Sequence, residues 1–206
     1  MQEYGKGSCY SVDYAKFLLH VRGNPQAAMD VARQALNIDC EDSASRQVLG
    51  LAAYVMWANS SAAQRQQALN QARVYLPAGP NTLYLLAGSE RTVVAAKRLI
   101  AEGEKIDQLD NDRLTALAHA LQNHDLPAAR RLLKLGANPG ARVGIADIPV
   151  ALLPIIEGEV DSVRMLQRAG VNYSKLRFQG ASAMDIARQT GNEGLVELLA
   201  GDGVAL

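Results

Sequence analysis

Three leucine-rich helical stretches each end in a glycine at a fixed interval, and that interval restricts the possible folds more than any other feature. The stretches end Lys97-Arg98-Leu99-Ile100-Ala101-Glu102-Gly103, Arg131-Leu132-Leu133-Lys134-Leu135-Gly136-Ala137-Asn138 and Met165-Leu166-Gln167-Arg168-Ala169-Gly170-Val171-Asn172, so the glycines stand 33 and 34 residues apart. Upstream columns keep the period. Thr82, Thr115, Pro149 and Ser182 are 33, 34 and 33 apart. Ala87, Ala120, Pro154 and Ala187 each follow five residues later, and Arg91, His124, Gly158 and Gly191 form a third column. A unit of this length cannot bury its apolar face alone, so units must stack. The period therefore predicts a repeat array over about residues 78–206.

The chemistry of each column predicts a helix–turn–helix. Thr115 and Ser182 suit the cap of a first helix, whose opening N–H groups need an acceptor. That helix is expected to bury Leu117 and Ala120 in one unit and Met184 and Ala187 in another. Leu126, Ala129, Leu132 and Leu133 follow the three-and-four spacing of a second helix, and Leu195, Leu198 and Leu199 repeat it. Gly103, Gly136 and Gly170 suit the left-handed residue just past a helix end.

Two segments carry a family resemblance. Thr115-Ala116-Leu117-Ala118-His119-Ala120 followed by Leu132-Leu133-Lys134-Leu135-Gly136-Ala137-Asn138-Pro139 resembles an ankyrin repeat, as does Gly180-Ala181-Ser182-Ala183-Met184-Asp185-Ile186-Ala187 followed by Gly191-Asn192 and Leu195-Val196-Glu197-Leu198-Leu199. The unit with Pro149 and Pro154 departs from the pattern, and the one beginning at Thr82 departs further. The resemblance spans about three-fifths of the chain. It implies a fold and says little about function, because one fold hosts many sites.

Residues 1–77 also read as helices. Tyr14, Phe17, Leu18 and Val21 share one helical face. Asn24-Pro25 reads as a cap and a first-turn proline, opening a helix with Ala28, Val31, Ala32, Ala35 and Leu36. Ser43 or Ser45 opens the next, which holds the most apolar stretch of the chain, 48–57. Ser61-Ala62-Ala63-Gln64 has capping-box form ahead of Leu69, Ala72, Tyr75 and Leu76. The two helix pairs resemble tetratricopeptide repeats. Pro77-Ala78-Gly79-Pro80-Asn81 is the joint. The expected fold class is all-α: a helical-repeat solenoid with a tetratricopeptide-like region over 1–77 and about four ankyrin-like repeats over 78–206.

Composition removes several function classes. The chain is 49% hydrophobic but only 5% aromatic, with alanine and leucine dominant, which favours helices over a β-sandwich. Basic and acidic residues number 21 each, which weighs against nucleic acid as a partner. No apolar run approaches the roughly 20 residues that span a bilayer, so no membrane partner is expected. Met1-Gln2-Glu3-Tyr4-Gly5 lacks the pattern of a secretory leader. Cys9 and Cys40 form no metal motif and are expected as free thiols in a reducing, cytoplasmic setting, a bridge being the alternative.

Chemistry-bearing motifs are absent. His20, His119 and His124 lack zinc-ligand spacing. Asp110, Asp112 and His124 suggest an acid–base set, but turn carboxylates explain the aspartates as well. No phosphate loop or nucleophile elbow occurs, so no catalytic residue, metal or cofactor is expected. Arg130, Arg131, Lys134, Arg164 and Arg168 form a basic stripe that either attracts anions or complements helix dipoles.

The resemblance implies a protein partner held at turn tips and first helices. By position the tips are Asn111, Asp112 and Leu114, then Ile145, Ala146 and Ile148, then Phe178, Gln179 and Ala181. The first-helix positions are Gln122, Asn123, Ile156, Glu157, Gln189 and Thr190. Ile145, Ile148, Ile156 and Phe178 are apolar where turns are normally polar, which suggests an interface. The alternative for Ile145 and Ile148 is that they fold inward. The expected function is a non-catalytic protein-binding module, in the manner of an inhibitor, immunity protein or adaptor. The rival is an interaction segment of a larger enzyme or effector.

Overall fold

In a computed structural model of the chain, residues 10–37 and 42–201 are described; Cys9, Cys40 and Leu206 lie outside them. The described chain is mostly helical. It divides into two compact units, one comprising the described residues up to 78 together with 85–104, the other 79–84 and 105–201.

In the first unit α1 (Tyr10–Phe17), α2 (Pro25–Asn37), α3 (Asp42–Ala58) and α4 (Arg65–Tyr75) pack in chain order, each on the next. α3 is the centre. Val48, Leu49, Leu51, Ala52, Tyr54, Val55 and Trp57 are all buried, as a helix apolar on every side requires. Asn24 caps α2 by accepting the Ala27 N–H at 3.0 Å, with Pro25 in the first turn. Ser61 accepts the Gln64 N–H in a turn, and α4 begins one residue later at Arg65 without a side-chain cap. Tyr54 donates to the Leu76 carbonyl at 2.9 Å, and burial pushes its phenol up to about 12. α6 (Val93–Ala101) joins this unit against α3. Arg98 donates to the Ala58 carbonyl at 2.6 Å, with its guanidinium over the Trp57 ring.

One expected face turns outward. Tyr14, Phe17 and Val21 are exposed, and the core of this segment is Val12, Ala15 and Leu19. Aromatic bulk alone gave no direction here: the fully buried side of α1, which packs on α2 and α3, carries the small Ala15.

In the second unit the helices pack in pairs. α7 (Ala116–Gln122) pairs with α8 (Leu126–Lys134), and α11 (Ala183–Thr190) with α12 (Glu193–Gly201). Between them lie α9 (Leu153–Ile156) and α10 (Val160–Arg168). α9 packs on α7 and on α11, while α10 packs on α8 and on α12. Two short hairpins precede α9 and α11. β1 (Arg142–Val143) pairs antiparallel with β2 (Ile148–Pro149), and β3 (Arg177–Phe178) with β4 (Ala181–Ser182).

Caps and turns follow the columns. The Thr115 hydroxyl accepts the Ala118 N–H at 3.2 Å. Ser182 and Asp185 form a reciprocal capping box. Gly136 and Gly170, closing α8 and α10, have φ of 99° and 91°, the left-handed region that suits glycine. The column of His124, Gly158 and Gly191 is a second left-handed turn, with φ of 53°, 81° and 69°. Thr82 differs from its column: it lies inside α5 (Pro80–Leu86), not at its cap.

Side-chain directions correct three expectations. Met184 is half-buried, and Ala183, Ile186 and Ala187 form the buried stripe of α11. Leu126 and Leu133 are half-buried, with Ala128, Ala129 and Leu132 beneath them. Leu198 is half-buried between the buried Leu195 and Leu199. In α8 and α11 small alanines take most of the buried positions, and in α12 two leucines four residues apart do, which leaves the other long side chains half-buried.

Candidate partner-binding surface

The surface is built from turns, hairpins and first helices of the second unit. Asp110 shapes the first turn. Its Oδ1 accepts the N–H groups of Asp112 and Leu114, both at 2.9 Å, and its Oδ2 lies 2.6 Å from His119 Nε2. Burial pushes the Asp110 carboxyl up, but the Leu114 N–H and His119 outweigh it and hold the group below its ordinary value. The Tyr84 ring stacks on His119, with centroids 6.1 Å apart. Asp110 is therefore a half-buried anchor and not a solvent-facing turn carboxylate, and its histidine partner is His119, not His124. The sequence reading missed this pair because nine residues and an irregular turn separate the two.

The turn in turn holds the first hairpin. Arg113 and Gly144 exchange contacts in both directions: the Gly144 N–H donates to the Arg113 carbonyl at 2.9 Å, and Arg113 Nε donates to the Gly144 carbonyl at 3.1 Å. Arg142 braces the loop from the other side, donating to the Asp147 carbonyl at 2.7 Å. At the tip Ile145 is 97% exposed, while Ile148 is half-buried in β2. The two isoleucines thus part ways.

β2 lies beside β3, which carries Phe178. Phe178, Ile156 at the end of α9, and Ile186, Gln189 and Thr190 on α11 line a cleft of about 280 Å³. Ile156 is 42% exposed, Phe178 half-buried and Ile186 buried. Four candidate residues, Ile156, Phe178, Gln189 and Thr190, therefore meet at one place. Ile186 completes the cleft and was missed, although it stands three and four residues before Gln189 and Thr190 on one helical face.

The remaining candidates are dispersed. Asn111 and Asp112 are exposed on the Asp110 turn, and Leu114 is half-buried beneath it. Gln122 is exposed at the end of α7, whereas Asn123 donates from its amide to the His119 carbonyl at 2.8 Å and so serves the helix end. The Thr190 hydroxyl does the same for α11, donating to the Ala187 carbonyl at 2.8 Å. Glu157 is exposed near Glu159, whose carboxylate lies 3.7 Å from His124 Nδ1. Gln179 is exposed at the second hairpin tip with φ of 51°, a left-handed value uncommon for glutamine.

Among the described residues no group of three or more His, Cys, Asp or Glu is placed to hold a metal ion, and no helix is long and apolar enough to cross a membrane. Compared with known proteins, the chain matches no family model and no curated protein. Its own residues carry the functional reading.

Proposed function

We propose that this chain is a non-catalytic binding protein, an ankyrin-like array preceded by antiparallel helix pairs, that holds a protein partner at its hairpin tips and first helices. One observation carries the reading. Ile156, Phe178 and Ile186 line an apolar cleft, with Gln189 and Thr190 as its polar edge. Ile145, at the tip of the other hairpin, is almost wholly in water. Exposed apolar area costs about 25 cal/mol per Å², so a tip that points isoleucine at solvent stabilises nothing in the free chain. Contiguous apolar surface rimmed by polar groups is the usual mark of a protein interface. Occupying a partner's surface, as an inhibitor, immunity protein or adaptor does, needs no chemistry beyond this.

The test is capture from the native source with tagged wild-type chain beside Ile145→Asp and Ile156→Asp. Ile145 is almost wholly exposed, so Ile145→Asp should melt like wild type, while Ile156→Asp, more than half buried in the cleft, should stay folded with a modest loss of stability. A stoichiometric protein captured by wild type and lost from both supports the reading. A partner retained by both variants, or no protein partner, overturns it.

A further inference from the structure

A second groove, made only by second helices, gathers cations the fold does not use. It runs between α8 and α10, has a volume of about 540 Å³, and is lined by Arg130, Leu133, Lys134, Met165, Arg168 and Ala169. No carboxylate is among these lining residues. Arg130, Lys134 and Arg168 are exposed, and none has an ion pair or side-chain hydrogen bond among the described residues. Neighbouring cations are committed elsewhere: Arg164 donates to Asp161 at 3.2 Å, and Arg131 has a partner of its own.

Helix dipoles account for only part of this. Lys134 and Arg168 lie in the last turns of α8 and α10, where a cation faces the exposed carbonyl ends. Arg130 lies a full turn earlier, on the same side as Lys134. Nor does a dipole require the apolar floor of Leu133, Met165 and Ala169 beside the cations. The three charges line the same groove as that floor, and the methionine gives it an adaptable shape.

We propose that this groove is a second docking site, which takes an acidic, amphipathic helical segment of a protein. The segment's apolar stripe lies on Leu133, Met165 and Ala169, and its carboxylates meet Arg130, Lys134 and Arg168. Charge and shape select this occupant over nucleic acid. A single strand would be gripped by stacking on aromatic rings, and none lines the groove. A duplex would be held by phosphate contacts, for which an apolar floor does nothing. The groove shares no residue with the cleft of Ile156 and Phe178. One chain therefore offers two separate docking sites and can bridge two macromolecules.

The test uses a synthetic peptide of about 15 residues, long enough to form a helix on binding, with a leucine stripe and glutamates elsewhere. Binding to the full chain is followed by calorimetry at moderate salt. Saturable one-to-one binding is expected. The double variant Arg130→Glu/Arg168→Glu should weaken it at least about tenfold, as losing charge-assisted contacts implies. Arg130→Gln/Arg168→Gln should weaken it less, and both variants should stay folded with only a small drop in melting temperature, since Arg168 faces the carbonyl end of α10. Replacing the peptide's leucines with serine should also weaken binding, since the floor then has no partner. Ile156→Asp should leave binding unchanged, which separates this site from the first. Equal affinity for the serine peptide, or for inorganic phosphate or duplex DNA, would show a simple anion patch and overturn the proposal. Affinity unchanged by charge reversal overturns it equally.

Discussion

His119 Nε2 lies 2.6 Å from Oδ2 of Asp110, and the pair joins a first helix to the turn that precedes it. The other oxygen of Asp110 fixes the turn by accepting two backbone N–H groups, and the turn then holds Gly144 of the next hairpin through Arg113. A local acid–base contact thus positions an exposed tip that carries Ile145.

The two oxygens can be tested separately. Asp110→Asn keeps an Oδ1 acceptor for the turn and removes the carboxylate facing His119, so it should cost about 1 kcal/mol. Asp110→Ala leaves both N–H groups without their acceptor and should cost about 2–3 kcal/mol. Urea unfolding measures both. The pH dependence has a definite sign. The folded carboxyl titrates below the ordinary 3.8, so its contribution is complete above that value and is lost as pH falls through the lower folded value. Below about pH 4 the wild type should lose stability more steeply than Asp110→Asn. Parallel curves would mean that the pair contributes nothing to folding.

Gly50 is fixed by a close approach. A Cβ there would lie 2.2 Å from the Leu76 Cβ and 3.2 Å from its backbone nitrogen, so neither neighbour can simply rotate away. Alanine is the better helix former by about 1 kcal/mol, so propensity alone predicts that Gly50→Ala stabilises. Overpacking wins here, and a net loss of about 1–3 kcal/mol is expected. Leu76→Ala does not rescue it, because the clashing Cβ remains. A Gly50→Ala variant as stable as wild type would show that α3 and the end of α4 are not in this contact.

How much of this was legible depended on what each residue answers to. The column of Arg91, His124, Gly158 and Gly191 was visible as a period, and at its last three members the backbone is left-handed. Thr115 and Ser182 were readable as caps because capping is a local chemistry with a short residue list. Tyr14 and Phe17 were readable as a face but not as an outward one, since the direction depends on which neighbour arrives. The Asp110–His119 pair depends on a turn with no repeat partner to align against. The cleft was half visible: its rim was found by position, whereas Ile186 stood only within the repeat motif, and nothing in the sequence placed it beside Phe178.

His124 holds a place where the two later turns use glycine. Its φ of 53° carries the steric cost that a Cβ imposes in the left-handed region, about 1 kcal/mol. Its contact with Glu159 is long, at 3.7 Å, and both side chains are well exposed, so losing it costs little. His124→Gly should therefore stabilise the protein by only a few tenths of a kcal/mol, about 0.5 at most, because glycine's greater unfolded-state entropy offsets much of the relieved strain. Thermal unfolding decides it. A drop in stability would mean that the His124–Glu159 contact outweighs the backbone strain.

Gln179 presents the same strain at the tip of the second hairpin, and there the substitution also tests function. Phe178 pairs with Ala181, so the loop is Gln179–Gly180, with φ of 51° and 85°. Two positive values in a two-residue loop define a type I′ turn, for which Asn-Gly is the favoured sequence. Glutamine is one methylene longer than asparagine and gains no local hydrogen bond from that length. Gln179→Asn should raise stability by about 0.5 kcal/mol, or roughly 1–2 °C in melting temperature for a chain of this size. Unfavoured backbone held at an exposed tip suits a residue selected for what it touches. The longer amide would then reach a partner seated on Phe178 and Ile156, and the stabilised variant should bind that partner more weakly. A variant that gains stability and keeps full affinity removes Gln179 from the contact surface. One that gains no stability shows that this turn is not strained.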